Sequence, residues 1–216
     1  MDSDLNLEKK KLYLSIAKSL IVVSLIWLSF LLNDIFSLNW DRYGMQPRTL
    51  RGLWGIITMP FLHNNMQHLL SNTLPLLFLS FGLFYFFRKK SLLILIMLNL
   101  VTGILLWATG RDGNHIGASG LVYALGFFLA TISLIKRENS LLAYTLIIVF
   151  LYGSLVWGFF PQLFPDKSIS WEGHLCGAVS GMILAIFYRK EGPQRKQYFL
   201  DEEDDPDEEE IDAYWK

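Results

Sequence analysis

Residues 91–110 read SLLILIMLNLVTGILLWATG. Twenty positions pass without a charge. The hydrocarbon core of a bilayer is about 30 Å thick and takes roughly 20 apolar residues of helix. This block therefore reads as a membrane span, and its flanks extend the pattern. On its N-terminal side stand Arg88, Lys89 and Lys90, and before them a longer apolar stretch over 59–87 that opens on His63, Asn64, Asn65, Gln67 and His68. On its C-terminal side Arg111 and Asp112 lead into a further apolar stretch over 115–135. Three more lie at 12–33, 141–161 and 172–188, so six membrane helices are expected.

Composition agrees. The chain has 216 residues, of which 52% are hydrophobic and 15% aromatic, with mean hydropathy +0.34. That apolar mass excludes an ordinary soluble domain, and the length allows one helical bundle. The net charge of −1 says little about partners, and none made of nucleic acid is expected. The lone cysteine, Cys176, lies in an apolar block and reads as a packing residue. The first apolar block is too long for a cleavable signal, and no small-residue cleavage site follows it.

The distribution of charge is more informative. With the N-terminus on the cytoplasmic side, the inner segments hold Lys9, Lys10 and Lys11, then Arg88, Lys89 and Lys90, then Lys136 and Arg137, then Arg189, Lys190, Arg195 and Lys196. The outer loops hold only Arg42, Arg48, Arg51, Arg111 and Lys167. The positive-inside rule then puts both termini in the cytoplasm. Three regions are expected: a cytoplasmic tail over 1–11, a membrane domain over 12–190, and an acidic cytoplasmic tail over 191–216. The run of Asp and Glu over 201–212 cannot bury a core and is expected to be disordered. The loop over 34–58 mixes Trp40, Tyr43 and Trp54 with three arginines, which suits either the membrane interface or a solvated loop.

Polar groups in membrane segments are costly and call for a reason. Three clusters stand out: His63, His68 and Asn72; Gly117, Ala118, Ser119 and Gly120 with Tyr123; and Gly173, His174 and Gly177. Each lies near the start of a segment that runs from outside to inside, so all three meet at one depth. His68 with Asn72, and Ser119 with Tyr123, are four residues apart and share helix faces. On a helical wheel His63 points away from His68. Gly173, Gly177 and Gly181 form a small-residue stripe, matched by Gly120 and Ala124, and such stripes let membrane helices approach closely.

Close approach allows chemistry. A serine hydroxyl becomes a nucleophile when an imidazole takes its proton, and Ser119 with His174 supplies the pair. Donors are then needed for the oxyanion; the Asn72 and His68 side chains and the Ser119 backbone N–H are suitable. Glycines at 117 and 120 allow close approach around the serine. Glu172 and Asp112 are poorly placed as an acidic third member, so a dyad is the simpler reading, with Tyr123 stacking on the imidazole. His115, four residues before Ser119, is a rival base.

The motifs His63-x4-His68-x3-Asn72, Gly117-Ala118-Ser119-Gly120 and Gly173-His174-x2-Gly177 resemble those of rhomboid proteases, over roughly residues 12–190. The resemblance implies an all-α membrane protein, a six-helix bundle. It implies Ser119 as nucleophile, His174 as base, Asn72 and His68 as oxyanion partners, Tyr123 as the stacking residue and His63 as a structural histidine. It further implies an intramembrane endopeptidase that cleaves single-pass membrane proteins without metal or cofactor. One departure stands out: many members carry Trp-Arg in the first long loop, where this chain has Trp54 and Gly55, with Arg51 nearby.

A bacterial plasma membrane is the expected location. Substrate is expected to enter beside the fifth segment. There the run Trp157, Phe159, Phe160 and Phe164, with Pro161 and Pro165, reads either as a mobile gate or as an interfacial aromatic belt. Two other functions fit the same polar residues: a transporter lined by them, and a non-catalytic chaperone for membrane helices. Neither needs the Ser119 hydroxyl, whereas proteolysis does.

Overall fold

Apolar blocks in a membrane leave the backbone no partner but itself, and helices follow. The computed structural model describes residues 2–160 and 170–195. In order, the helices are α1 (Asp2–Phe36), α2 (Gly52–Thr58), α3 (Met66–Phe86), α4 (Ser91–Thr109), α5 (Ser119–Lys136), α6 (Asn139–Tyr152) and α7 (Trp171–Phe187). Short 3-10 turns lie at Trp40–Tyr43, Met59–Phe61 and Gly153–Phe159. Among the described residues no β-strand forms; one isolated bridge pairs Met45 with His115. The acidic run over 201–212, the side chain of Trp157, and Pro161, Phe164 and Pro165 fall outside the described residues.

Helices α1 and α3 to α7 lie over the six expected segments, and the short α2 is an addition within the first loop. Among the described residues, four helices are long and apolar enough to cross a membrane: Leu5–Phe36, Met66–Phe86, Ser91–Thr109 and Ser119–Lys136. The other two, α6 and α7, have 14 and 17 residues. Boundaries differ from the apolar blocks where capping decides them. Helix α3 starts at Met66 because Asn65 caps it, its Oδ1 accepting the His68 N–H at 2.8 Å. The expected start at 59 is a 3-10 turn around Pro60 instead. Helix α1 begins at Asp2, so the basic cluster at 9–11 rides on the helix.

Helix α5 is the centre. It packs against α7 most extensively, and against α3, α4 and α6. Of its most apolar stretch 61% is buried, against 28% for α1 at the edge. Leu76, Leu83, Ile94, Leu98, Leu125 and Phe128 are fully enclosed around it. Its contact with α7 runs along the glycines: a Cβ on Gly177 would collide with the Gly120 carbonyl oxygen, and one on Gly181 with that of Ala124. Beside this seam Thr102 and Ser180 share a buried hydrogen bond of 2.6 Å, tying α4 to α7. On the far side the Trp27 indole donates to Thr73 at 3.1 Å and ties α1 to α3.

Among the described residues, the two sets of basic residues gather at opposite ends of the bundle. At one end Lys11 lies 4.0 Å over the Tyr85 ring, whose hydroxyl donates to Glu8, and the Lys136 ammonium donates to the Arg189 carbonyl at 2.9 Å. At the other, Arg48 pairs with Asp112 and donates to the Gly110 carbonyl at 2.6 Å, and Arg111 pairs with Glu172 at 3.2 Å. The departure at Gly55 has a packing reason. A Cβ there would strike the Met45 backbone, so an arginine side chain has no room. Arg48, rather than Arg51, anchors the first loop, through the Gly110 carbonyl and Asp112.

Candidate active site

Ser119 is the first residue of α5, which places its hydroxyl at the mouth of a helix rather than within one. The loop before it is held from three directions. His115 exchanges backbone hydrogen bonds of 2.8 Å with Met45, the Gly117 N–H donates to the Met59 carbonyl at 2.9 Å, and the Ala118 N–H donates to His63 Nε2 at 3.4 Å. Gly117 has φ +113°, and a Cβ on it would come within 2.6 Å of the His68 ring. No other residue meets both constraints. The first intrahelical bond of α5 runs from the Val122 N–H to the Ala118 carbonyl. The N–H groups of Ser119, Gly120 and Leu121 therefore have no acceptor within the helix.

His174 reaches Ser119 from α7. Its Nε2 lies 3.0 Å from Ser119 Oγ. Its Nδ1 lies 2.9 Å from the carbonyl oxygen of Gly158. A carbonyl can only accept, so Nδ1 carries the proton and Nε2 is the lone-pair nitrogen that faces the serine. The Tyr123 ring stacks on the imidazole at 4.2 Å and 9°. Phe159 packs edge-on against Tyr123 at 5.0 Å. Both His174 and Tyr123 are buried, while Ser119 is half-buried. A hydroxyl donating to a fixed neutral imidazole is equipped for proton transfer.

Of the other residues singled out, Gly120 and Gly177 form the helix contact that brings the pair together, and Gly117 turns the loop. His68 lies against Gly117. Asn72 is buried one turn along α3, its Nδ2 donating to the His68 carbonyl at 2.9 Å. His63 departs from the helical-wheel expectation. It precedes the Asn65 cap, so helical spacing does not govern it, and its ring meets the edge of His68 with centroids 5.0 Å apart.

His115 is engaged elsewhere. Its Nε2 donates to the Arg111 carbonyl at 2.9 Å, and its Nδ1 lies 2.7 Å from Ser170 Oγ, which also caps α7 by accepting the Gly173 N–H. It is a strut between the serine loop and the start of α7. Glu172 and Asp112 pair with arginines, as described above. The residue that sequence reasoning missed is Gly158. Any residue offers a carbonyl, so only its bareness was a signal: a Cβ there would strike the Tyr123 hydroxyl.

A Rhomboid domain model matches residues 50–191 of this chain. The chain belongs to the rhomboid family. A protein of Mycobacterium tuberculosis described as uncharacterized is 34% identical over 180 residues, covering 81% of this chain and 74% of its own. A protein of Mycobacterium leprae, also described as uncharacterized, is 33% identical over 187 residues, covering 83% and 73%. A putative rhomboid protein of Acanthamoeba polyphaga mimivirus is 29% identical over 133 residues, covering 59% and 71%. The match runs from the end of the first loop through all of α7, so it contains His63, His68, Asn72, Ser119, Gly158 and His174.

Proposed function

We propose that this chain is an intramembrane serine endopeptidase in which Ser119 attacks the scissile carbonyl and His174 is the general base. The observation that carries this reading is the 3.0 Å contact between His174 Nε2 and Ser119 Oγ, with Nδ1 held by the Gly158 carbonyl. His174 accepts the serine proton and returns it to the leaving amine. The oxyanion is met by the free N–H groups at the start of α5, by the second amide hydrogen of Asn72 and by the His68 ring. In this reading α1 and α3 to α7 cross the bilayer, the 14-residue α6 together with the Gly153–Phe159 turn that continues it, with both termini in the cytoplasm and the site toward the outer face of a bacterial plasma membrane. The charge partition between the two ends of the bundle supports that orientation.

Substrates in this reading are single-pass membrane proteins, since a helix must unwind before its carbonyls become available. The route is beside α6. A cleft of about 210 Å³ lies between α3, α5 and α6, lined by Leu79, Gly126, Thr145 and Tyr152 and by Tyr123, whose ring stacks on His174. The deciding experiment combines fluorophosphonate labelling with cleavage of a single-pass substrate. Ser119→Ala and His174→Ala are each expected to lose both signals. Cleavage that persists in either folded variant overturns the assignment.

A further inference from the structure

Away from the serine, α1 packs on α3, while α4 packs on α2, α5 and α7. Between α1 and α4 a cleft of about 560 Å³ remains open. Its walls are apolar: Ile21 and Leu25 on one side, Leu92 and Ile96 on the other, with Leu121 in the floor. Ala118, the neighbour of the serine, also lines it. Two polar residues break the pattern: Asn99, whose amide donates to the Ile56 carbonyl at 2.9 Å, and Lys18. Lys18 lines the end of the cleft nearest Phe84, its ammonium 5.7 Å over that ring. It lies seven residues beyond Lys11, roughly 10 Å further along the helix axis.

A charge so placed in a membrane helix needs a partner at the interface or a path to water. An apolar slot open to lipid, with a cation at its basic end, matches the two parts of an anionic phospholipid: acyl chain and phosphate. Basic pockets between membrane helices on the cytoplasmic side bind such head groups. From this charge complementarity we infer that the cleft between α1 and α4 seats an acyl chain of an anionic phospholipid whose phosphate is held by Lys18. The inference is independent of any proteolytic activity.

Native mass spectrometry of the purified full chain tests it, with equal amounts of a phosphatidylglycerol and a phosphatidylcholine of the same chains. Wild type is expected to retain the anionic lipid about fivefold better, the worth of one basic residue near such a head group. Lys18→Gln is expected to lose that preference, and Ile96→Trp, which fills the slot, to lose both lipids. Equal retention by wild type overturns the inference. So does a preference that survives Lys18→Gln, which assigns it to Arg88, Lys89 and Lys90, or undiminished binding by Ile96→Trp. A dimer that forms as lipid is lost assigns the cleft to a second copy of the chain and overturns it as well.

Discussion

The imidazole of His174 is held on three sides by different means: a hydroxyl ahead, a carbonyl behind and a phenol ring across its face. Gly158 is the residue on which this arrangement turns. Gly158→Ala puts a methyl against the Tyr123 hydroxyl and within 2.9 Å of Nδ1, so the ring must shift. A misplacement of about 1 Å costs on the order of 10²-fold in rate, and kcat for a membrane substrate is expected to fall by about that much with folding intact. An unchanged kcat would remove the carbonyl from the mechanism. Asn72→Ala is expected to lower kcat by roughly 10²–10³-fold if its free amide hydrogen meets the oxyanion, measured on the same substrate. A small loss there would move the role to His68 and the α5 backbone. The side chains of this site are legible in the sequence because seryl, imidazole and glycine positions recur at helical spacing. The Gly158 carbonyl is not, since a backbone acceptor leaves no residue-type signature. His63 escapes the helical wheel because its neighbour Asn65 starts the helix later than apolarity alone implies.

At the scale of the elements, the seam between α5 and α7 sets how near the pair can come. Gly177→Ala forces the two backbones apart and is expected to cost about 1–3 kcal/mol, as overpacking does. Denaturant unfolding in detergent measures this. Gly126→Ala is the comparison: its Cβ would meet only Leu79 methyl groups, at 4.0 Å, and the variant is expected to be as stable as wild type. Equal stability of both variants would show that the seam has slack. The stripe itself is readable from Gly173, Gly177 and Gly181. The short α2 is not, because interfacial and solvated loops carry similar residues. Its Leu53, Trp54 and Ile57 are exposed.

For the whole molecule, the proposed sidedness rests on the distribution of charge and is open to direct test. In a Cys176→Ser background, cysteines at Lys10 and Arg137 are expected to react with an impermeant maleimide only after cells are opened. One at Arg51 is expected to react on intact cells. The reverse pattern would invert the bundle and carry the site to the cytoplasmic face. The basic residues sort into two ends by sequence position alone because they cluster at the turns between apolar blocks. The closeness of those turns, such as Lys136 to Arg189, is a property of the packed helices and has no counterpart in residue order.

The partner behind His174 is a dipole, not an anion. A carbonyl can aim the ring but cannot neutralise it once it takes a proton. Among the described residues no carboxylate touches His174, so in the proposed mechanism the imidazolium is balanced by the charge that appears on the substrate itself. With no substrate carbonyl in place, moving the proton would form only an alkoxide–imidazolium pair between two groups of very different acidity, which reverts, so the serine rests as an ordinary alcohol. In that mechanism the pair is dormant by construction, and its reactivity is assembled anew by each peptide bond that reaches it.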